Sequence, residues 1–252
     1  MNENILAFFA HPDDETMLCG GTLALLAREG ANVHFLSATR GEGGEMGEPP
    51  VSVRERLGEA RSHELTCAVE ALGGRSLTFL DYADPLVGPD DELYPFTDDF
   101  ETLVAQVKAR LLDTQSGALI THGSNGEYGH PAHLLVHRAA LAAARAIPGI
   151  ALYTVQACFE GHPKPRLANQ DDPADLVLDV RPLLPQKTQA ALCHRSQHAL
   201  FVRRTSARLG HTVEVPDVIV DIESLHRVHL NGSPQSPDEL LEMLRKTGLA
   251  IA

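Results

Sequence analysis

Ile5-Leu6-Ala7-Phe8-Phe9-Ala10-His11-Pro12-Asp13-Asp14-Glu15 passes within eleven residues from an unbroken apolar run to one imidazole and three carboxylates. The run reads as a buried strand, and the polar cluster at its carboxyl end lies where open α/β sheets place their ligands. Pro12 stiffens the turn between the charged groups. Alone, the cluster is either a metal site with a base beside it or a solvated loop, because Asp and Pro are ordinary turn residues. A second cluster, Tyr128-Gly129-His130-Pro131-Ala132-His133, follows another strand-like run, Ala118-Leu119-Ile120. Two strand ends carrying imidazoles can converge in a parallel sheet, which favours a site.

The intervening chain alternates strands with helices. A helix over Leu23–Arg28 stops at Gly30, and Val33–Leu36 is the next strand, with His34 a core or sheet-face residue. The glycine-rich loop Thr39–Glu45 lacks both the G-x-G-x-x-G and Walker patterns, so it does not indicate a nucleotide. Its Glu42 and Glu45 are candidates to face a substrate, against the plainer reading of solvated loop carboxylates. Apolar residues from Val53 to Leu72 recur at helical spacing, and on that helix Arg61 and Glu64 stand at i, i+3, as a surface pair would. Leu77–Leu80 is a third strand, followed by a long acidic loop from Asp81 to Tyr94 of the kind that is often functional. Phe100–Leu112 is an amphipathic helix and Gly117–Thr121 a fourth strand. Pro131 suits a first helical position, which makes His130 the N-cap and puts His133 in the first turn of the helix continuing from Leu134 to Ala146; His137, one turn on, is packed or exposed. Ile150–Val155 and Leu176–Val180 are further strands, with a polar loop and His162 between them. Pro182–Gln197 reads as a helix, Val213 to Ile222 as an alternating strand, and Ser236–Glu239 as a capping box opening a last helix. The alternation predicts an α/β fold with a largely parallel sheet.

At 252 residues and 43% hydrophobic content, the chain can bury one core, and a single domain is expected. A net charge of −13 leaves no basic patch for nucleic acid or an anionic membrane surface. No stretch approaches the roughly 20 apolar residues of a membrane span. The four cysteines show no C-x-x-C spacing and are expected reduced. The start, with Asn2, Glu3 and Asn4, lacks the basic character of a signal peptide, so a soluble cytoplasmic protein is expected.

Catalytic zinc takes three protein ligands and keeps a fourth position for water. His11, Asp14 and His133 supply a two-histidine, one-carboxylate set. Asp13 is placed to take a proton from the water. His130 can donate to an oxyanion or a leaving amine from the other side.

With these residues in view, the sequence resembles the LmbE-like, or PIG-L, zinc deacetylases, the family of the N-acetylglucosaminyl-phosphatidylinositol de-N-acetylases and of the mycothiol- and bacillithiol-type deacetylases. The family's A-H-P-D-D-E is present entire as Ala10 to Glu15, and its G-H-P-D-H appears as Gly129 to His133 with Ala132 in place of the aspartate. Arg61 and Glu64, and Ser196-Gln197, match weaker motifs. The resemblance covers about residues 4 to 200, leaving 201–252 as a strand and helix extension. It implies a Rossmann-like, mostly parallel sheet with helices on both faces; zinc, or iron, on His11, Asp14 and His133; Asp13 as general base; and His130 on the oxyanion side. Tyr128 and Arg61, with Glu45 and Glu42 from the loop, are the expected substrate contacts. The implied activity is removal of acetyl from an N-acetylglucosamine unit of a small glycoconjugate, with no nucleic acid or membrane partner and a homo-oligomer left open. The alternatives are an amidase on a larger or non-sugar amide, such as a thiol conjugate, and a non-catalytic metal-binding or ligand-sensing protein. Ala132 leaves open what orients His130.

Overall fold

The computed structural model describes residues 4–230 and 238–251. The opening apolar run forms β1 (Asn4–Phe9). Its side chains divide between two cores: Ile5, Ala7 and Phe9 enter one cluster, Leu6 and Phe8 the other. A strand covered on both faces belongs at the centre of a sheet. Accordingly β1 pairs in parallel with β2 (Asn32–Thr39) on one side and β4 (Ala118–Thr121) on the other. Parallel pairing continues to β3 (Ser76–Tyr82) beyond β2 and to β5 (Ala151–Val155) beyond β4.

Two further strands complete the sheet, β9 (Ile222–Val228), antiparallel to both its neighbours, and beyond it β8 (Leu176–Asp179), in the order β3-β2-β1-β4-β5-β9-β8. Residues beyond 200 therefore supply an internal strand. Glu223 on β9 accepts from the backbone N–H groups of Gly21 (2.8 Å) and Thr22 (2.6 Å), and Lys187 Nζ lies 2.7 Å from the same carboxylate. One face of the sheet is covered by α1 (Asp14–Arg28), α2 (Leu57–Ala71), α6 (Leu184–Cys193) and α8 (Glu239–Lys246). The other is covered by α3 (Phe100–Asp113) and α5 (Pro131–Ala146). The mostly parallel α/β sheet with helices on both faces is thus as expected.

Several local expectations fail, each for an identifiable reason. The alternation of Val213 to Ile222 does not make one long strand. Pro216 and a reciprocal Glu214–Asp217 capping box instead wind Val215–Val218 into a 3-10 turn, and β9 begins only at Ile222. The helix expected over Pro182–Gln197 breaks at His194 and resumes, after a 3-10 turn, as α7 (His198–Leu209). Part of the polar stretch before Pro173 is β7 (Asn169–Pro173), paired with the short β6 (Ala157–Cys158). Ser236 and Pro237 of the expected capping box lie outside the described residues; Asp238 caps α8 by accepting from the Leu241 N–H. The cysteines are not all reduced: Cys67 on α2 and Cys193 at the end of α6 form a disulfide, while Cys19 and Cys158 are free. Cys67 and Cys193 are 126 residues apart and are brought together by the packing of α2 on α6.

A candidate metal centre with an adjacent base

The chain leaves β1 for β2 and β3 on one side and returns to β4 on the other, so the carboxyl ends of β1 and β4 face a topological switch point. The two polar clusters meet there. Asp14 lies between the two histidines: its Oδ2 is 3.3 Å from His11 Nδ1 and its Oδ1 3.3 Å from His133 Nε2. Each histidine gives its remaining ring nitrogen to another carboxylate. His133 Nδ1 is 2.6 Å from Glu127 Oε2, and His11 Nε2 is 3.3 Å from Asp84 Oδ1. An N–H donated to a carboxylate fixes a histidine tautomer and leaves the other nitrogen's lone pair for a metal. All five groups are largely withdrawn from solvent.

Among the described residues, two sets of donor atoms lie within 4.8 Å of one another, His11–His130–His133 and Asp14–His122–His133. The second contains His122, a residue that sequence reasoning missed. Directly after β4 and wholly buried, His122 accepts from the Ala10 N–H at Nε2 (3.0 Å) and meets Glu127 Oε2 at Nδ1 (2.9 Å). Its acceptor nitrogen is therefore engaged, and it serves to tie β1 to the Glu127 carboxylate. Glu127, also missed, holds φ 58°. It is anchored further by Gly123 N–H on Oε1 (3.0 Å) and by its own N–H on Asn169 Oδ1 (3.1 Å). The only sequence cue was His122 standing directly after the strand β4.

The charges suit a cation. Burial lowers His11, but Asp14 and Asp84 outweigh it and raise the group to about 9, and Asp14 and Glu127 likewise raise His133. Without a metal, protons on imidazoles balance the excess of carboxylates. A divalent ion on His11, Asp14 and His133 would replace those protons, so the donor set fits zinc or iron.

Asp13 stands at φ 118°, a conformation that L-residues rarely hold, and its N–H donates to Glu15 Oε2 (3.1 Å). Arg61 fixes the carboxylate. Its Nη2 contacts Asp13 Oδ2 (3.2 Å) and the Pro12 carbonyl (2.5 Å), and its Nη1 donates to the Gly41 carbonyl (2.9 Å). Gly41, at φ +70°, is required here, since a Cβ would lie 2.2 Å from that guanidinium. Burial raises Asp13 to about 6, with Arg61 pulling the other way. A carboxylate near this value suits a general base at neutral pH.

His130 caps α5, and its Nδ1 accepts from the Ala132 N–H at 3.1 Å. The backbone therefore orients this ring, with no carboxylate needed from position 132, whose methyl group is buried in the core. Nε2 carries the proton of the neutral ring. Burial and the neighbouring His133 and His11 lower its pKa to about 3, making it a neutral donor rather than an imidazolium.

A cavity of about 630 Å³ opens above these groups, lined by His11, Asp13, Asp14, His130 and His133 at its base. Tyr128 lies on its wall, edge-on to His130 and His133 with ring centroids 5.6 Å apart in each case. The expected contacts from the glycine-rich loop separate. Glu45 reaches the cavity but is engaged by Arg203 (2.6 Å at both oxygens), whereas Glu42 is not among the lining residues and accepts from the Asp84 N–H (3.0 Å). Arg61 and Glu64 do not form a surface pair. Both are buried, and Glu64 accepts from the Ser196 N–H and hydroxyl (2.8 and 2.7 Å). His34 meets Ser76, His137 donates to the His122 carbonyl, and His162 accepts from the Lys164 N–H; none of the three lines the cavity.

A family model described as PIG-L, GlcNAc-PI de-N-acetylase, matches residues 6–144. The 1D-myo-inositol 2-acetamido-2-deoxy-alpha-D-glucopyranoside deacetylase of Thermobifida fusca is 36% identical over 157 residues, covering 57% of this chain and 55% of that protein. The protein of the same name from Mycolicibacterium vanbaalenii is 29% identical over 246 residues, covering 84% and 87%. Against several such relatives the chain spans only about half their length, 44 to 55%. Among solved structures, the 4-carboxy-2-hydroxymuconate hydratase GalB of Pseudomonas putida superposes with a TM-score of 0.63 at 21% identity, over 93% of this chain and 100% of that one. The N,N'-diacetylchitobiose deacetylase of Pyrococcus horikoshii gives 0.60 at 18%, over 90% and 84%. At these identities the likeness is one of fold, and the fold carries a hydratase as well as a deacetylase.

Proposed function

The chain belongs to the PIG-L, GlcNAc-PI de-N-acetylase family, and from that premise we propose that it is a metal-dependent N-deacetylase acting on an N-acetylglucosamine unit of a small glycoconjugate. The observation that carries the reading is the Asp14 carboxylate between one ring nitrogen of His11 and one of His133, at 3.3 Å each, with Asp13 and His130 opening onto the same cavity. A storage or sensing site needs the first three groups but neither Asp13 nor His130. A zinc or ferrous ion held by His11, Asp14 and His133 would supply Lewis acidity toward the amide carbonyl and the attacking water.

The chain's own groups account for the proton movements. Asp13, held by Arg61 at one oxygen, takes the water's proton as the C–O bond forms and returns it to the amide nitrogen as the C–N bond breaks. The products are acetate and a free amine. The Nε2–H of His130, fixed by the Ala132 N–H on Nδ1, donates to the carbonyl oxygen as it gains charge. Tyr128 on the wall is the proposed contact to the sugar, with Glu45 held back by Arg203.

Release of free amine by metal-reconstituted protein is the test, across acetylated glucosaminides, thiol conjugates and simple amides. Turnover of N-acetylglucosaminides, lost on chelation and restored by zinc or iron, is expected. Turnover confined to non-sugar amides would establish the amidase instead. No amine from any substrate at full metal loading would overturn the assignment.

A further inference from the structure

The cavity is lined by the charged groups of the candidate metal centre and also by apolar side chains from other parts of the chain. Eleven large hydrophobic residues are exposed among the described residues, and five of them, Leu86, Val87, Tyr94, Tyr128 and Leu200, line this one cavity. Isolated exposed apolar side chains are normal, but a cluster around a cleft marks a surface that something covers. They come from separate parts of the chain: the acidic loop after β3, the segment before His130, and the start of α7. The acidic loop is anchored at Asp84, whose carboxylate lies against His11 Nε2 (3.3 Å) and whose N–H donates to Glu42 (3.0 Å).

The polar groups on the same wall are already engaged. Arg203 takes both oxygens of Glu45, and Arg54 Nη1 donates to the carbonyls of Glu42 and Gly44 at 2.7 Å each. A polyol needs convergent unengaged donors and acceptors to replace its hydration, and Glu45 and Arg54 Nη1 are committed elsewhere. Its volume, about 630 Å³, lies within the range of sites that enclose drug-sized ligands, leaving room beyond a single sugar ring.

We propose that the outer half of the cavity is a subsite for an apolar aglycone, an alkyl or aryl group joined to the acetamido sugar, in place of a polyol such as the inositol named for the relatives. The subsite rests on the deacetylase reading for its chemistry and on the Leu86, Val87, Tyr94 and Leu200 wall for its selectivity. Leu86 and Leu200 are 60% and 45% exposed, so the side chains that meet the aglycone are removable without opening the core.

The experiment compares kcat/KM of the zinc-loaded protein on N-acetylglucosaminides bearing methyl, inositol, phenyl and octyl aglycones. It also measures direct binding of the matching free-amine products. Burial of two or more methylenes corresponds to at least about a tenfold gain of octyl over methyl. Inositol should fall at or below methyl. The Leu86→Ser/Leu200→Ser double variant should reduce the octyl-to-methyl ratio several-fold. Amine release with inositol preferred, or with no dependence on the aglycone, overturns the subsite and leaves the deacetylase reading standing. Tighter binding of octyl glucosaminide than of the inositol glycoside, with no amine released from any substrate, overturns the reading and supports the subsite. Equal binding of the two overturns the subsite whatever the turnover.

Discussion

Replacing Glu127 with glutamine removes one charge from the centre of the site while keeping its shape. In the wild-type protein Oε2 receives the Nδ1–H groups of His133 (2.6 Å) and His122 (2.9 Å), and Oε1 receives Gly123 N–H (3.0 Å) and Asn169 Nδ2 (3.3 Å). All of these partners are donors. A carboxylate satisfies four donors, but an amide has one oxygen, so either way round its NH₂ faces two other donors. Burial acts to protonate Glu127, but the His122 and His133 contacts hold it well below the usual carboxylate range, so the wild-type group is ionised at any working pH. Each buried polar group left unpaired costs about 1–3 kcal/mol. Loss of a carboxylate partner from a metal-ligating histidine weakens metal binding by about 10- to 100-fold. We expect Glu127→Gln to fold, with a lower melting temperature, and to bind zinc 10- to 100-fold more weakly. Competition against a chromophoric chelator, on protein shown to be folded by near-UV circular dichroism, measures it. An unchanged zinc affinity in the folded variant would refute the assignment of Glu127 as the group that sets the His133 tautomer.

Asp14→Ala and His133→Ala should each lose the metal on purification, read as metal content per chain, because each removes one of three donors. Asp13→Asn should retain the metal and lose about 10²- to 10⁴-fold in turnover, since an amide cannot accept the proton. In the wild type, kcat/KM should fall as pH drops through about 6, where Asp13 becomes protonated. Removing the nearby positive charge by Arg61→Gln raises the Asp13 pKa further, so that acid limb should move to higher pH; a downward shift would contradict the pairing. Cys67→Ser should lower stability by about 2–4 kcal/mol in denaturant unfolding, with a mass shift on reduction confirming the crosslink in the wild type.

Much of the fold was legible because periodicity reports burial directly. The run Ile5–Phe9 has no polar face, so it had to be covered on both sides, and β1 is an interior strand with a core on each face. The order of strands and helices then made a parallel sheet the economical arrangement, and the strand ends marked where the polar clusters would lie. His11, Asp14 and His133, with Asp13 and His130, were named from spacing and resemblance, and the structure brings them around one cavity.

Periodicity does not report partners. Val213 to Ile222 alternates as a strand would, but Pro216 and the Glu214–Asp217 caps act locally and prevail. Arg61 and Glu64 have the spacing of a surface pair, yet the packing of α2 buries both and sends one to Asp13 and the other to Ser196. Cys67 and Cys193 carry no spacing signal across 126 residues, and only the contact of α2 with α6 joins them. His122 and Glu127 look like loop residues until β4 pairs with β1, which places the His122 ring under the Ala10 N–H and the Glu127 carboxylate on two imidazoles at once. The sequence by itself determined the sheet class, a strand buried on both faces and two polar clusters at strand ends, because these follow from burial and from short local motifs. Which carboxylate orients which histidine, and what holds His130 in the absence of an aspartate at 132, was decided only by the tertiary structure, because a hydrogen bond depends on how strands and helices come together across the chain.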